Sequence, residues 1–173
     1  MFFCFDVFLS NALGIKTECF KLLIMTIAGL IDGAKKFLQD VESGRLIQNC
    51  ITLNEKDIVS MNTEEQLFKE GENALGVTIR SYQPYSPVTI SIKQKKGQPT
   101  NRVTLRDTEA FHKSFFVYAD NKAVWFKATD KKAQKLYDKY GEIFGLTVEN
   151  RNKVAWDMLY PLLMVELKFA LFK

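Results

Sequence analysis

The N-terminal part of the chain carries apolar residues at the spacing of one helix face. Between about Thr26 and Ser43 they recur every three or four positions, as in an amphipathic helix that packs on a core. Gly44 follows, and glycine suits the left-handed residue at a helix end. The pattern therefore predicts a helix with this apolar face: Ile27, Leu30, Ile31, Ala34, Phe37, Leu38 and Val41.

Two further helices are predicted at the C-terminal end. The first follows the cap candidates Thr129 and Asp130 and ends at Gly141, and the second begins at Thr147. Pro161 should kink or divide the second helix, because a proline removes one helical hydrogen bond. The residues expected to pack from these helices are Ala133, Leu136, Tyr137, Tyr140, Val154, Trp156, Met158, Leu162, Val165, Phe169 and Phe172.

A β-hairpin is predicted before these two helices. Phe115–Ala119 and Ala123–Phe126 are rich in strand-forming residues, and the segment between them, 120–122, holds residues that tolerate turns. Because both faces of the first strand are apolar, we expect the sheet to be covered on both sides, by helices on at least one. The order of elements predicts an α+β fold. It has an N-terminal helix, a small antiparallel sheet with a hairpin at about residues 115–127, and two C-terminal helices packed on the sheet.

The chain enters this hairpin through a corner at Val103–Tyr118. A short β-type run at Val103–Leu105 is followed by Asp107 and Thr108, whose side chains can accept hydrogen bonds from the first N–H groups of a helix. One amphipathic turn then leads into the strand. His112, the only histidine of the chain, lies on this turn without a cluster of Cys or carboxylates nearby. We therefore expect it to have a packing or surface role rather than to bind a metal or act as a base.

Residues 72–102 are predicted to protrude as an arm or loop. Two strand-like alternations, Val77–Ile79 and Val88–Ile92, are interrupted by Pro84 and Pro87, which cannot donate to a sheet, so the segment is an edge or an excursion. Its end is basic, and a solvated loop and a phosphate-binding loop are both open interpretations. Residues 46–53 also stay open, between strand and helix.

Residues 1–24 are interpreted as an uncertain N-terminal extension. The apolar run Leu22–Ile31 is shorter than the ~20 residues that span a bilayer, and no small-residue cleavage site for a signal peptidase follows it. Met25 opens an ordinary amphipathic helix, so an over-extended gene start is the first explanation. An extra helix and a membrane or export role are the alternatives. Residues 25–173 would then form a single α+β domain.

Composition excludes several classes of protein. A length of 173 residues suits one domain, and a net charge of +4 is too weak to argue by itself for nucleic acid. The three cysteines lie far apart without a CxxC pair, which argues against a disulfide framework or a zinc site. The chain has no Walker loop, no G-x-G-x-x-G and no G-x-S-x-G motif. We therefore expect that the protein is not an enzyme and has no cofactor and no metal site.

Three segments, at residues 64–93, 97–117 and 135–151, together carry a resemblance to a known family. The second contains a variant of a D-T-G-x-(L/F)-x-x-S core, in which Glu109 replaces the glycine. In this order the segments resemble a family of minor structural proteins from tailed bacteriophages and prophages, notably those of gut Bacteroidales. The resemblance covers most of residues 45–170. The family-like residues are Asp107, Thr108, Phe111 and Ser114 in the core, and Phe144, Gly145, Leu146 and Thr147 in the IFGLT segment.

The resemblance implies a virion structural protein for head–tail joining or tail completion in the neck. It implies that the partners are other virion proteins, namely the portal or connector, the tail tube or the tail terminator. It also implies a homo-oligomeric ring, with DNA in the channel, and location in the virion and, during assembly, in the host cytoplasm. A membrane is not an expected partner. The candidate interface or DNA-facing residues are Tyr82, Tyr85, Lys93, Lys95, Lys96 and Arg102.

Two other functions stay open at this point. One is a nucleic-acid-binding module that uses the basic loop at residues 93–102, whose affinity would fall steeply with salt. The other is a small membrane-associated protein that uses residues 1–31.

Overall fold

The structure is a computed structural model that describes the backbone of residues 17–172 and the side chains of residues 21–172. The part of the predicted N-terminal extension before residue 17 lies outside the described residues. The chain divides into two compact units, one of which contains the chain up to Ser43 together with Leu163–Lys173, and the other Gly44–Leu162.

The first unit consists of helix α1, Thr17–Glu42, and the end of the last helix of the chain. The two helices approach closely at Gly33, where a Cβ added to the glycine would lie 1.9 Å from the carbonyl oxygen of Ala170. Many apolar side chains of this unit face solvent, with Leu22 67% and Phe169 64% exposed. Among residues 17–172, no helix is both long enough and apolar enough to cross a membrane.

The second unit begins with helices and ends in a hairpin followed by helices. Its elements, with the helix that continues into the first unit, are α2 Arg45–Leu53, α3 Glu55–Ser60, a π-helical segment Met61–Glu70, a 3-10 turn Ile79–Ser81, α4 Pro87–Lys95, α5 Ala110–Lys113, β1 Phe115–Ala119, β2 Val124–Ala128, α6 Ala133–Tyr140, α7 Val148–Lys153, a second π-helical segment Val154–Leu159, and α8 Tyr160–Leu171. This order confirms the predicted α+β fold, with an N-terminal helix, an antiparallel hairpin and C-terminal helices.

The core of the second unit has two clusters, and Val59 packs against both of them. The first surrounds Phe111 and Phe115, whose rings meet edge to face with centroids 4.9 Å apart, and α6 packs against it. The second surrounds Ile58 and Val117, and the π-helical segment before α8 packs against it. Cys50 is 1% exposed in α2.

Only one face of the sheet is covered, so the expectation of two covered faces is wrong. Helices α2 and α3 pack against β1 on the side of Val117. On the other side Tyr118 and Trp125 are exposed, and Phe116 stacks on Tyr118 with ring centroids 6.1 Å apart. Lys127 places its Nζ 5.3 Å from the centroid of the Tyr118 ring. These aromatic side chains thus shield one another rather than pack under another element.

Residues 88–92 are helical, so the strand predicted there is wrong. The hydroxyl of Ser86 accepts a hydrogen bond from the backbone N–H of Thr89, and Pro87 occupies the first turn, where its missing N–H costs nothing. Other parts of the predicted arm lie in the interior, because Ile79 is fully buried and Lys93 is 6% exposed.

The corner differs from its prediction at both of its elements. Residues 103–105 form no strand, and α5 begins after Glu109, which has a left-handed backbone with φ 64°. Asp107 and Thr108 are exposed and cap no helix. Leu105 is also left-handed, with φ 52°, a conformation that is rare for a branched residue. The corner is therefore held by its tertiary contacts rather than by a helix cap.

Two further predictions concern the last helix. Thr147 caps it as expected, since its hydroxyl accepts from the backbone N–H of Asn150. Wider π-helical turns precede Pro161, but the backbone is helical at Lys153 and Tyr160 on either side of them, so the helix is not divided there. The alternative outcome, a kink at Pro161, stays a prediction. Trp156, expected in the core, is 66% exposed and lies beside Tyr160, so that prediction is wrong. Val165, Phe169 and Phe172, also expected to pack, are exposed as well.

Candidate functional site

The basic residues predicted to face a partner do not form one patch. Lys95 is exposed, whereas Lys96 is paired with the carboxylate of Asp107. Arg102 donates from Nε to the carbonyl oxygen of Phe68 at 2.7 Å and lies over the Phe68 ring. Lys96 and Arg102 are thus both engaged by groups of the protein itself.

Lys93 is the fourth of these cations, and it lies in the interior. Its ammonium donates to the carbonyl oxygen of Arg106 at 2.8 Å, to Oε1 of Gln98 at 3.0 Å and to the hydroxyl of Thr104 at 3.5 Å. An ammonium has three donors, and all three find acceptors here. Lys93 is therefore available neither to DNA nor to a partner, and it fastens α4 to the corner.

The two candidate tyrosines also have structural partners. The hydroxyl of Tyr82 donates to the carbonyl oxygen of Tyr140 at 2.6 Å, and the residue as a whole is 44% exposed. The hydroxyl of Tyr85 accepts from the backbone N–H groups of Thr104 at 2.9 Å and Leu105 at 3.3 Å. Tyr82 keeps an exposed face for a partner, while Tyr85 holds the corner in place.

The corner carries a chain of charged groups centred on Arg106. Its guanidinium pairs with Glu64 at 2.9 Å and with Glu109, and lies 4.5 Å from the centroid of the Phe68 ring. Hydrogen bonds from Lys113 and then Arg106 lower the pKa of Glu109 to about 2. Glu109, which stands where the resembled family has glycine, thus adopts a left-handed backbone and gains two cationic partners.

The family-like core residues of the corner have unequal environments. Asp107 and Thr108 are exposed, and the hydrogen bond from Lys96 lowers the pKa of Asp107. Phe111 is buried, and the hydroxyl of Ser114 donates to the carbonyl oxygen of Phe111 at 2.7 Å, which closes α5.

His112 is buried within the corner. Its Nε2 lies 3.0 Å from the carbonyl oxygen of Thr104, which makes Nε2 the protonated nitrogen, and Nδ1 has no hydrogen-bond partner. Burial lowers the pKa of His112. A neutral, enclosed imidazole suits the packing role that the sequence predicted.

The IFGLT segment is held by two buried amides of the first π-helical segment. Asn62 and Gln66 both donate to the carbonyl oxygen of Gly145, at 2.6 and 3.1 Å. The carbonyl of Gln66 accepts from the backbone N–H of Thr147 and from the side chain of Asn150, both at 3.0 Å. We call this set the amide clamp. It fixes the loop before α7, and Phe144 and Leu146 on that loop enter the two core clusters.

An apolar groove runs beside the outer edge of β2, and sequence reasoning did not find it. Its volume is about 550 Å³. Val124 and Phe126 line one side, Leu75 and Leu146 line another, and Glu142 and Arg151 are exposed on its lining. The groove joins segments far apart in the chain, so no local pattern predicted it. The one local signal was the apolar second strand, whose Val124 stays exposed.

A second, smaller cavity of about 310 Å³ lies between α4 and the corner. Its polar lining includes Lys93, Arg106 and Asp107, whose charged groups are already engaged by protein partners. Among residues 17–172, no three or more His, Cys, Asp or Glu side chains are placed to hold a metal ion. Comparison with known protein families, curated proteins and solved structures found no match to this chain.

Proposed function

We propose that the protein is a structural subunit of a tailed-phage virion, of the head–tail joining or tail-completion kind. In this proposal it acts in the virion neck as a homo-oligomeric ring, between the portal or connector and the tail tube or terminator. It would reach the virion from the host cytoplasm during assembly. The sequence resemblance suggests this role, and the character of the surface supports it.

The observation that carries the proposal is the amount of apolar side chain left in solvent. Leu75, Val148 and Trp156 are each more than half exposed in the second unit, as are Leu22 and Phe169 in the first. Large exposed apolar patches on a soluble domain mark interaction sites. A ring subunit needs two unlike patches, since its interfaces are heterologous. The groove beside β2 and the surface formed by Trp156 and Tyr160 are two such patches on the second unit alone.

The proposal is tested on particles purified from cells that carry the gene. The chain should be present in washed particles at a fixed multiple copy number, measured by mass spectrometry against labelled peptides, and cryo-electron microscopy should place it at the neck. Trp156→Ser should lower incorporation without changing the melting temperature, because the side chain is exposed. Lys131→Ser, at another exposed position, is the matched control. Absence of the chain from washed particles would refute the proposal.

A second candidate function is favoured by the uncovered face of the hairpin. Aromatic rings beside a lysine form a platform on which the bases of a single strand can stack, and each base contributes about 1–3 kcal/mol. The residues of this face are Phe116, Tyr118, Trp125 and Lys127. Oligothymidylate should then bind with a log–log salt slope of about −0.7 for each phosphate neutralised. Trp125→Ala should weaken binding and Trp156→Ala should not. Equal binding by both variants would exclude this face.

A further inference from the structure

We propose that the outer edge of β2 is an acceptor for an extended peptide segment of a partner protein, which adds to the hairpin as a third strand. This edge would accept a peptide whether or not the protein is a virion subunit.

The hydrogen-bond register of the hairpin leaves one row of backbone groups unpaired. The pair that closes the turn is bonded, with the N–H of Asp120 donating to the carbonyl oxygen of Ala123 at 3.0 Å. Bonded and non-bonded pairs alternate along an antiparallel ladder. Trp125 therefore points its N–H and C=O at β1, while Val124 and Phe126 point theirs away from it. Within the described chain, no backbone hydrogen bond is made by these outward groups.

The space beside this row is the apolar groove. Val124 and Phe126 line it from the strand, and Leu75 and Leu146 line it from the facing loops. A strand presents alternate side chains to the same face. An added strand could therefore bond to the row with its backbone and place every second side chain in the groove. In known cases of strand addition, main-chain hydrogen bonds supply the affinity and pockets for alternate side chains supply the specificity.

The charges of the groove favour a polypeptide of particular character. The lining carries one anion, Glu142, whose carboxylate accepts from the hydroxyl of Tyr137 at 3.0 Å, and one cation, Arg151. Neither makes an ion pair among the described residues. A nucleic acid strand needs a line of cations, which this lining does not offer. The structure therefore indicates a segment with apolar residues at alternate positions and one acidic residue near Arg151.

Within the described part of the chain, β2 lacks two of the protections that natural sheet edges usually have. Exposed edges are normally blunted by proline, by a charged side chain along the edge or by a covering element. β2 contains no proline, and its one lysine, Lys127, folds back over the Tyr118 ring. A two-stranded sheet is also marginal on its own, so a third strand would stabilise it.

The test uses the full chain and a displayed library of random peptides of about ten residues, the upper length of common strands. Enriched peptides, synthesised with a fluorescent label, should alternate apolar residues and carry an acidic residue. Adding them should slow amide exchange at Val124 and Phe126. Val124→Pro, which removes an outward N–H, should weaken binding at least about tenfold. Leu75→Glu should do the same, and Leu53→Glu, at an equally exposed position outside the groove, should not.

Three results would overturn the proposal. The first is a library from which no peptide is enriched, or whose peptides bind Val124→Pro and Leu75→Glu within about twofold of the unaltered chain. The second is loss of binding in Leu75→Glu alone, because the groove would then hold a ligand without strand pairing. The third is slow exchange at Val124 and Phe126 in a self-associated chain without peptide, because the edge would then belong to a second copy.

Discussion

Two glycines of helix α1, one turn apart, should respond oppositely to the same substitution. A Cβ at Gly33 would lie 1.9 Å from the carbonyl oxygen of Ala170 and 2.9 Å from its carbonyl carbon. At Gly29, apart from the neighbouring residues and backbone of its own helix, no described atom lies within 4 Å of the added carbon. Gly33→Ala should therefore push α1 and the end of α8 apart, while Gly29→Ala should meet no obstacle.

The matched pair isolates the cost of the steric overlap. Replacing glycine by alanine inside a helix stabilises it by about 0.8–1.0 kcal/mol, and this gain is common to both variants. Comfortable carbon–oxygen contacts begin at about 3.3 Å, so the atoms at Gly33 must separate by more than ~1 Å. Overpacking of this kind typically costs about 1–3 kcal/mol. Gly33→Ala should thus be less stable than Gly29→Ala by about 1–3 kcal/mol, or about 5- to 150-fold in the unfolding constant.

The measurement is urea unfolding of the full chain, together with amide exchange along α1 to report on this unit. Gly29→Ala should unfold at a higher urea concentration than the unaltered chain, and Gly33→Ala at a lower one than Gly29→Ala. If the two variants have the same unfolding free energy, the close approach at Gly33 does not exist and the reasoning fails.

Three further predictions concern the second unit. Gln66→Leu leaves one buried and one partly buried donor of the amide clamp without an acceptor. It should lower the unfolding free energy in urea by about 2–4 kcal/mol, against under ~0.5 kcal/mol for the exposed control Gln134→Leu. Because burial lowers the pKa of His112 below its ordinary 6.5, the unfolded chain binds more protons below that pH. Stability from this group is therefore complete above pH 6.5 and is lost as the pH falls towards the folded pKa, and His112→Gln should flatten that loss in denaturant midpoints. The carboxyl carbon of Glu109 should titrate with a pKa of about 2 by NMR, and Lys113→Met should raise it towards 4.5.

Each of these has a result that would contradict it. Equal stability of the Gln66 and Gln134 variants would mean that the clamp bonds are replaced by water. An unchanged slope of stability between pH 7 and 5 in His112→Gln would mean that the imidazole is not enclosed. A Glu109 carboxyl that titrates at its ordinary value would mean that its cationic partners are not engaged in solution.

The elements with strong local patterns were predictable. Phe115–Ala119 alternates beside residues that turn readily, and Thr147 supplies a hydroxyl at the start of a regular apolar series, so the hairpin and the last helix follow from neighbouring residues. The helix α4 was within reach too. Ser86 and Pro87 are an N-cap and a first-turn proline, and that signal outweighs the apolar alternation of the residues after them.

The remaining differences arise from contacts between distant residues. The left-handed backbone at Leu105 accompanies the hydrogen bond to Tyr85, 20 positions earlier in the chain. Lys93 has the sequence surroundings of a solvated cation, and only the folded chain supplies it with buried acceptors. Trp156 is a large aromatic residue of the kind that is usually buried. Nothing near it in the sequence indicates that the side of the helix that carries it is exposed. The candidate site was hardest to predict, because the groove exists only where β2 meets loops from two other parts of the chain.

The buried thiol of Cys50 can report how often the second unit opens. Burial raises the pKa of that thiol, and only the thiolate reacts with an alkylating reagent. Cys50 can therefore be alkylated only when α2 opens. The rate of alkylation then depends on the frequency of this opening. A pulse of iodoacetamide followed by peptide mapping would therefore report how often the second unit opens, without any change to the sequence.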